Sequence, residues 1–160
     1  MKLGTKGRYA VMAMVDLANI SSENGRPVSL SEIAIRLAIP HSYLEQLLGK
    51  LRRCGLVKSV RGPGGGYLLS RNYEEIRISD IVTAADEQLS ATRCMPGSAE
   101  GCNADKSRCL THDLWDELSK QITMYLNSVS LADVCEKRII GTSSLQLERE
   151  INHQTSAANV

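Results

Sequence analysis

Phenylalanine is missing from this chain of 160 residues, and tryptophan occurs once. An aromatic core is thereby excluded. The interior has to be built from Leu, Ile, Val and Met, for which a hydrophobic content of 42% is enough. No stretch approaches the ~18 apolar residues of a membrane span, so no membrane partner is expected. The start, M-K-L-G-T-K-G-R, sets no apolar run behind its basic residues and predicts no secretory signal. There is no C-x-x-C pair of the kind a redox enzyme uses, and no G-x-G-x-x-G or G-x-x-x-x-G-K-[ST] loop for a nucleotide. An enzyme with a small-molecule substrate is therefore not the expectation. Five cysteines, an odd number, without a secretory signal point to a reducing cytoplasm and away from a disulfide scaffold.

What is present concentrates between Cys94 and His112, C-M-P-G-S-A-E-G-C-N-A-D-K-S-R-C-L-T-H, where three of the five cysteines fall. The residues between them build a loop and no apolar core. Thiolates with a neutral imidazole are the donors that zinc or an iron–sulfur centre takes. Arg93, Lys106 and Arg108 flank the sulfurs, and cations favour the thiolate. The spacing C-x7-C-x6-C-x2-H is looser than a zinc finger's and does not by itself name the metal.

Charge is unevenly shared. Residues 1–75 carry eleven Lys or Arg against six Asp or Glu, a net of +5; residues 76–160 carry eight against twelve, a net of −4. An anionic partner would meet the N-terminal half. There, a first helix is predicted from about Arg8 to Ile20, with Val11, Met14, Val15 and Ala18 on one face. The polar run from Ser21 to Pro27 should end it. Ser29-x-x-Glu32 has capping-box spacing and opens a second helix bearing Leu30, Ile33, Ala34 and Leu37. Pro40 breaks it. A third helix, about His41 to Cys54, carries the stripe Leu44, Leu47, Leu48 and Leu51 continued by Cys54, with Gly55 as its cap. Two short helices joined by a tight turn, the second showing polar and basic side chains, make a helix-turn-helix.

Val57–Arg61, the turn Gly62-Pro63-Gly64-Gly65-Gly66 and Tyr67–Leu69 read as a hairpin. After a helix-turn-helix that hairpin is a wing. The expected fold is mainly α: a winged helix-turn-helix DNA-binding domain over residues 1–75, joined by a connecting helix in 76–90 to the ligand loop 91–112. Residues 111–140 then hold a long amphipathic helix and a short terminal one. Its apolar side, Trp115, Leu118, Ile122, Tyr125, Leu126 and Val129 widened by Leu110 and Leu114, calls for a partner surface, most simply a twin across a two-fold axis. Folding back onto the first helix is the other way to cover it. Cys135 reads as packing, and residues 141–160, His153 among them, as a disordered tail.

The segments K-G-R-Y-A (Lys6–Ala10), Y-L-E-Q-L (Tyr43–Leu47), G-L-V-K-S-V-R-G-P-G-G-G-Y-L-L (Gly55–Leu69), A-T-R-C (Ala91–Cys94) and C-L-T-H-D-L-W (Cys109–Trp115) resemble the Rrf2 family of winged-helix transcription regulators, in particular members that carry an iron–sulfur cluster. The resemblance runs to about Val134. It implies a [2Fe–2S] cluster on Cys94, Cys102, Cys109 and His112, where the residues alone leave zinc open. It further implies a homodimer joined by the long helices, and repression of iron–sulfur assembly genes. For a double-stranded DNA operator the expected phosphate contacts are Lys6, Arg8, Lys50, Arg52 and Lys58, with the wing backbone at Gly62 and Gly64. Arg61 would enter the minor groove. Ser42, Tyr43, Glu45 and Gln46 would read bases, Gln46 pairing with adenine and Glu45 accepting from cytosine. Two-fold symmetry sets the reading helices about 34 Å apart, on a near-palindromic site.

Overall fold

The structure, a computed structural model, describes residues 4–86, 103 and 107–139. Among the described residues, six helices and a two-stranded sheet follow in the order α1 (Thr5–Asn24), α2 (Leu30–Leu37), α3 (His41–Arg53), β1 (Val57–Val60), β2 (Gly66–Leu69), α4 (Ile78–Ala84), α5 (His112–Ser128) and α6 (Leu131–Cys135). The mainly helical, winged architecture expected from the sequence is present.

Helix α1 is the post on which the rest is mounted: α2, α3, α4, α6 and β2 all pack on it. Its inward face is Ala10, Ala13, Met14, Leu17 and Ala18, all buried, at the spacing that stacks residues on one side of a helix. This corrects the predicted stripe by a small rotation. Met14 and Ala18 are at its centre, but Val11 and Val15 are only half-buried flanks, and the small residues Ala10 and Ala13 let neighbouring backbones approach. The helix also runs further than its polar run suggested. It passes through Ser21 and stops only where Gly25 takes φ 61° and returns its N–H to the Ser21 carbonyl at 2.9 Å.

The capping box of α2 forms as expected. Glu32 N–H donates to Ser29 Oγ at 3.2 Å, and Ser29 N–H donates to the Glu32 carboxylate at 2.8 Å. Arg26 donates to the other carboxylate oxygen at 2.9 Å, tying the preceding loop to the cap. That guanidinium, with the two Ser29 donors, holds the Glu32 carboxyl down at about 2 from an ordinary 4.5. On the far side, Arg36 grips Asp16 through two parallel bonds of 2.8 Å, fixing α2 to α1.

In α3 the stripe Leu44, Leu47, Leu48 and Leu51 is buried. Cys54 does not continue it, and the sequence reading is corrected here: Cys54 is exposed. The chain reverses at Gly55, φ 70°, and Leu56 takes the next core place, its N–H on the Leu51 carbonyl at 3.0 Å.

The wing pairs Val57 with Leu69 through Val60 with Gly66, antiparallel. A third partner lay beyond sequence reasoning. Val28, in the α1–α2 connection, exchanges bonds of 2.9 and 2.8 Å with Tyr67 and stitches the wing to the helices. Gly66 makes this possible, since a Cβ there would run into the Val28 carbonyl oxygen.

Ile76, Ile78, Ile81 and Val82 carry α4 into the core. The C-terminal end of α5 is fastened there by Ile78 N–H to Val129 O (3.0 Å), Leu131 N–H to Ile76 O (2.8 Å) and Ser79 Oγ to Asn127 Oδ1 (3.1 Å). Helix α6, shorter than predicted, is opened by a second capping box between Ser130 and Asp133. Cys135 packs against the core as expected, and burial, helped by Glu136, pushes its thiol pKa up. The predicted tail at 141–160 and residues 87–102 lie outside the described residues.

Two glycines give opposite predictions. Gly66→Ala should destabilise the chain by about 1–3 kcal/mol, the cost of overpacking against backbone that cannot yield. Gly49→Ala on α3, where a Cβ meets nothing within 4 Å, should stabilise it by about 0.5–1 kcal/mol. Urea unfolding of both variants checks the pair. The depressed Glu32 carboxyl contributes stability that is present above its unfolded value and lost as pH falls through about 2. Glu32→Gln should therefore flatten the acid limb of a stability–pH curve between about 4.5 and 2.

Candidate nucleic-acid interface and metal-ligand segment

Burying four leucines on one side of α3 obliges its other side to face water. Ser42, Glu45 and Gln46 are exposed there. Tyr43 is half-buried, its ring edge-on to Tyr9 of α1 at 5.9 Å and 87°, so packing fixes its position while one edge stays accessible. The expected phosphate contacts divide by neighbourhood. Lys6 and Arg8 are exposed at the start of α1; Lys58 is exposed on β1. Arg52 is exposed on α3 and reaches Ser59 Oγ of β1 at 3.4 Å. At the wing tip Arg61 is exposed beside Gly62, φ 103°, and Gly64, φ 74°, a backbone that residues with a Cβ rarely adopt.

Lys50 differs from these. It is half-buried, and its Nζ lies 2.6 Å from Asp86 Oδ2 at the end of α4. The ammonium of Lys50, first by direct hydrogen bonding, and then Lys6 and Arg53, lower the Asp86 pKa. One carboxylate thus pairs with Lys50 of α3, and the more distant charges of Lys6 on α1 and Arg53 on α3 add to the pull. Neither Asp86 nor Arg53 was singled out from sequence. Arg53 belongs to the basic last turn of α3 and was legible in that run; the Asp86 contact joins helices far apart in the chain and had no sequence signal.

Of the four expected metal ligands, the described residues include Cys109 and His112. They share one turn at the head of α5, with His112 N–H donating to the Cys109 carbonyl at 3.0 Å. Cys109 is half-buried, and Thr111 Oγ1 stands 3.6 Å from its Sγ, placed to donate to a thiolate. His112 is buried. The turn joins the backbones of the two residues, and thiolate sulfur and imidazole are donor types suited to an iron–sulfur centre or zinc. Cys94 and Cys102 lie outside the described residues. Among the described residues no three His, Cys, Asp or Glu side chains converge as a metal site, and no helix is long and apolar enough to cross a membrane.

The rest of α5 is unusual for a helix in a small domain. His112 and Ser119 are its buried residues, while Leu114 (61%), Met124 (64%) and Tyr125 (54%) stand exposed, with Trp115 and Leu118 partly so. Its main packing partner within the chain is α4, and only Ile122, Leu126 and Val129 turn inward. Among the described residues the main support of α5 is α4 and not α1.

A family profile described as "Rrf2: Iron-dependent Transcriptional regulator" matches residues 3–137. Among curated relatives, the HTH-type transcriptional regulator IscR of Serratia proteamaculans is 52% identical over 134 residues, covering 84% of this chain and 79% of that one. IscR of Yersinia pseudotuberculosis is 49% identical over 140 residues, covering 88% and 82%. Among solved structures, T. potens IscR superposes with a TM-score of 0.68 at 38% identity, over 87% of this chain and 89% of that one. CymR of B. subtilis, the global cysteine regulator, gives 0.67 at 31%, over 86% and 98%.

Proposed function

The chain belongs to the Rrf2 family of transcriptional regulators, and from that premise we propose that it senses iron–sulfur status through a [2Fe–2S] cluster while bound as a homodimer to near-palindromic operators of cluster-assembly genes. The observation that carries this reading is the Cys109–His112 turn at the head of α5, in a chain similar to regulators named IscR. Cys94, Cys102, Cys109 and His112 would hold the cluster. When bound, such a cluster supplies a redox-active, losable cofactor whose presence depends on iron supply. The chain's own part is to hold the ligands, with Thr111 beside the Cys109 sulfur and the cations Arg93, Lys106 and Arg108 favouring thiolates.

DNA would be met by the exposed side of α3 and by the wing. Phosphates would be held by Lys6, Arg8, Arg52 and Lys58, bases read by Ser42, Tyr43, Glu45 and Gln46, and the minor groove entered by Arg61 between Gly62 and Gly64. Glu45 repels phosphate and carbonyl-rich edges, so it would act chiefly by penalising wrong sites. The outward apolar face of α5 supports a dimer, because a second copy supplies its complement. In that arrangement the ligand turn lies on the dimer-forming helix, so gain or loss of the cofactor acts where the two DNA-reading heads are joined.

Protein purified without oxygen from iron-replete cells should be red-brown and contain iron and acid-labile sulfide; colourless material holding only zinc rejects the cluster. Cys94→Ala/Cys102→Ala/Cys109→Ala should lose iron and alter operator affinity. Met124→Glu or Leu114→Glu, at exposed positions, should shift sedimentation from dimer to monomer without unfolding the subunit. Arg61→Ala should weaken operator binding roughly tenfold and lower the slope of log K against log salt by about 1.

A further inference from the structure

We propose that Asp86 is a built-in competitor for DNA phosphate: its carboxylate occupies the Lys50 ammonium on the recognition helix, so that duplex binding has to displace it, and this exchange sets the protein's affinity for DNA. The inference rests on the DNA-binding reading above.

The geometry is specific. Lys50 Nζ and Asp86 Oδ2 are 2.6 Å apart, with the Lys50 side chain 25% exposed and that of Asp86 71%. The cation is the more covered partner and the carboxylate the more exposed one. Asp86 is not on a loose loop. Its N–H bonds Thr83 O at 3.0 Å, and its neighbour Ala85 is fully buried. It also sits where an acid is locally unfavourable. Its φ of 56° is in the left-handed region, and an anion at a helix C-terminus opposes the helix dipole. Lys50, Lys6 and Arg53 offset those costs, and all three belong to the basic half of the chain. A carboxylate on Lys50, within the field of the other two, mimics one phosphate oxygen. A simple strut between α3 and α4 would explain the contact but not the choice of the cationic face; exposed ion pairs add little to stability.

The probe is a mixed-sequence 30-base-pair duplex, since phosphate contacts do not depend on sequence. Binding of the full chain is followed by fluorescence anisotropy across a salt series. Asn keeps the size of Asp and tolerates the left-handed conformation. Asp86→Asn should bind about three- to tenfold more tightly at low salt and steepen the slope of log K against log salt by about 1. Asp86→Gly, which accepts φ 56° without strain, should do the same. In a Lys50→Ala background the gain from Asp86→Asn should shrink to within twofold. Unchanged or weaker binding by both Asp86 variants, with an unaltered slope, overturns the inference. If Arg61→Ala still weakens binding in that case, the DNA-binding reading stands without it. A parent chain that fails to bind the duplex at any salt overturns both.

Discussion

Everything in this fold depends on how closely other elements can approach α1. Ala10, Ala13 and Ala18 leave shallow ground between Met14 and Leu17, and four helices and a strand share that one surface. With no phenylalanine available, density comes from interlocking aliphatic residues around small ones. Because α2 and α3 both rest on this post, the angle between them is set by α1 and by the Arg36–Asp16 clamp as much as by their own turn. The exposed face of α3, proposed to read DNA, is then the side left over once its leucines are committed.

Helix α5 inverts that logic. Its buried residues are His112 and Ser119, while large apolar side chains face outward. A helix placed this way is what the proposed dimer would cover. It also separates two tasks along one rod. The C-terminal end is fastened to α4 and to the start of α6, and the turn that holds Cys109 and His112 is at the other end, about 25 Å away for a helix of 17 residues.

Much of this was legible in the sequence wherever one local interaction dictates one outcome. Ser29 and Glu32 announced a cap, four leucines announced the buried side of α3, and the Gly/Pro run between two strand-like segments announced the wing. Reading failed where tertiary contact overrides local preference. The polar residues after Ile20 looked like a stop, yet nothing there breaks a helix until Gly25 supplies the left-handed turn. Cys54 fitted the stripe by spacing, but the chain reverses at Gly55 and Leu56 takes the core place. The Lys50–Asp86 pair and the Val28–Tyr67 bridge join distant residues, and no periodicity encodes them. Of the four expected ligands, Cys109 and His112 fall on one turn because C-x2-H spacing at a helix start is local.

The stitch between Val28 and Tyr67 has a consequence for recognition. A free hairpin would have to be immobilised each time it met a groove, at about 1–2 kcal/mol of backbone entropy for every residue ordered. Here the wing is held on both flanks, by β1 pairing and by the α1–α2 connection, and its tip is closed by Gly65 N–H on Gly62 O. If Arg61 enters a groove as proposed, it does so from a wing already held in place, and folding has met most of the ordering cost that a floppy arm would face at every encounter.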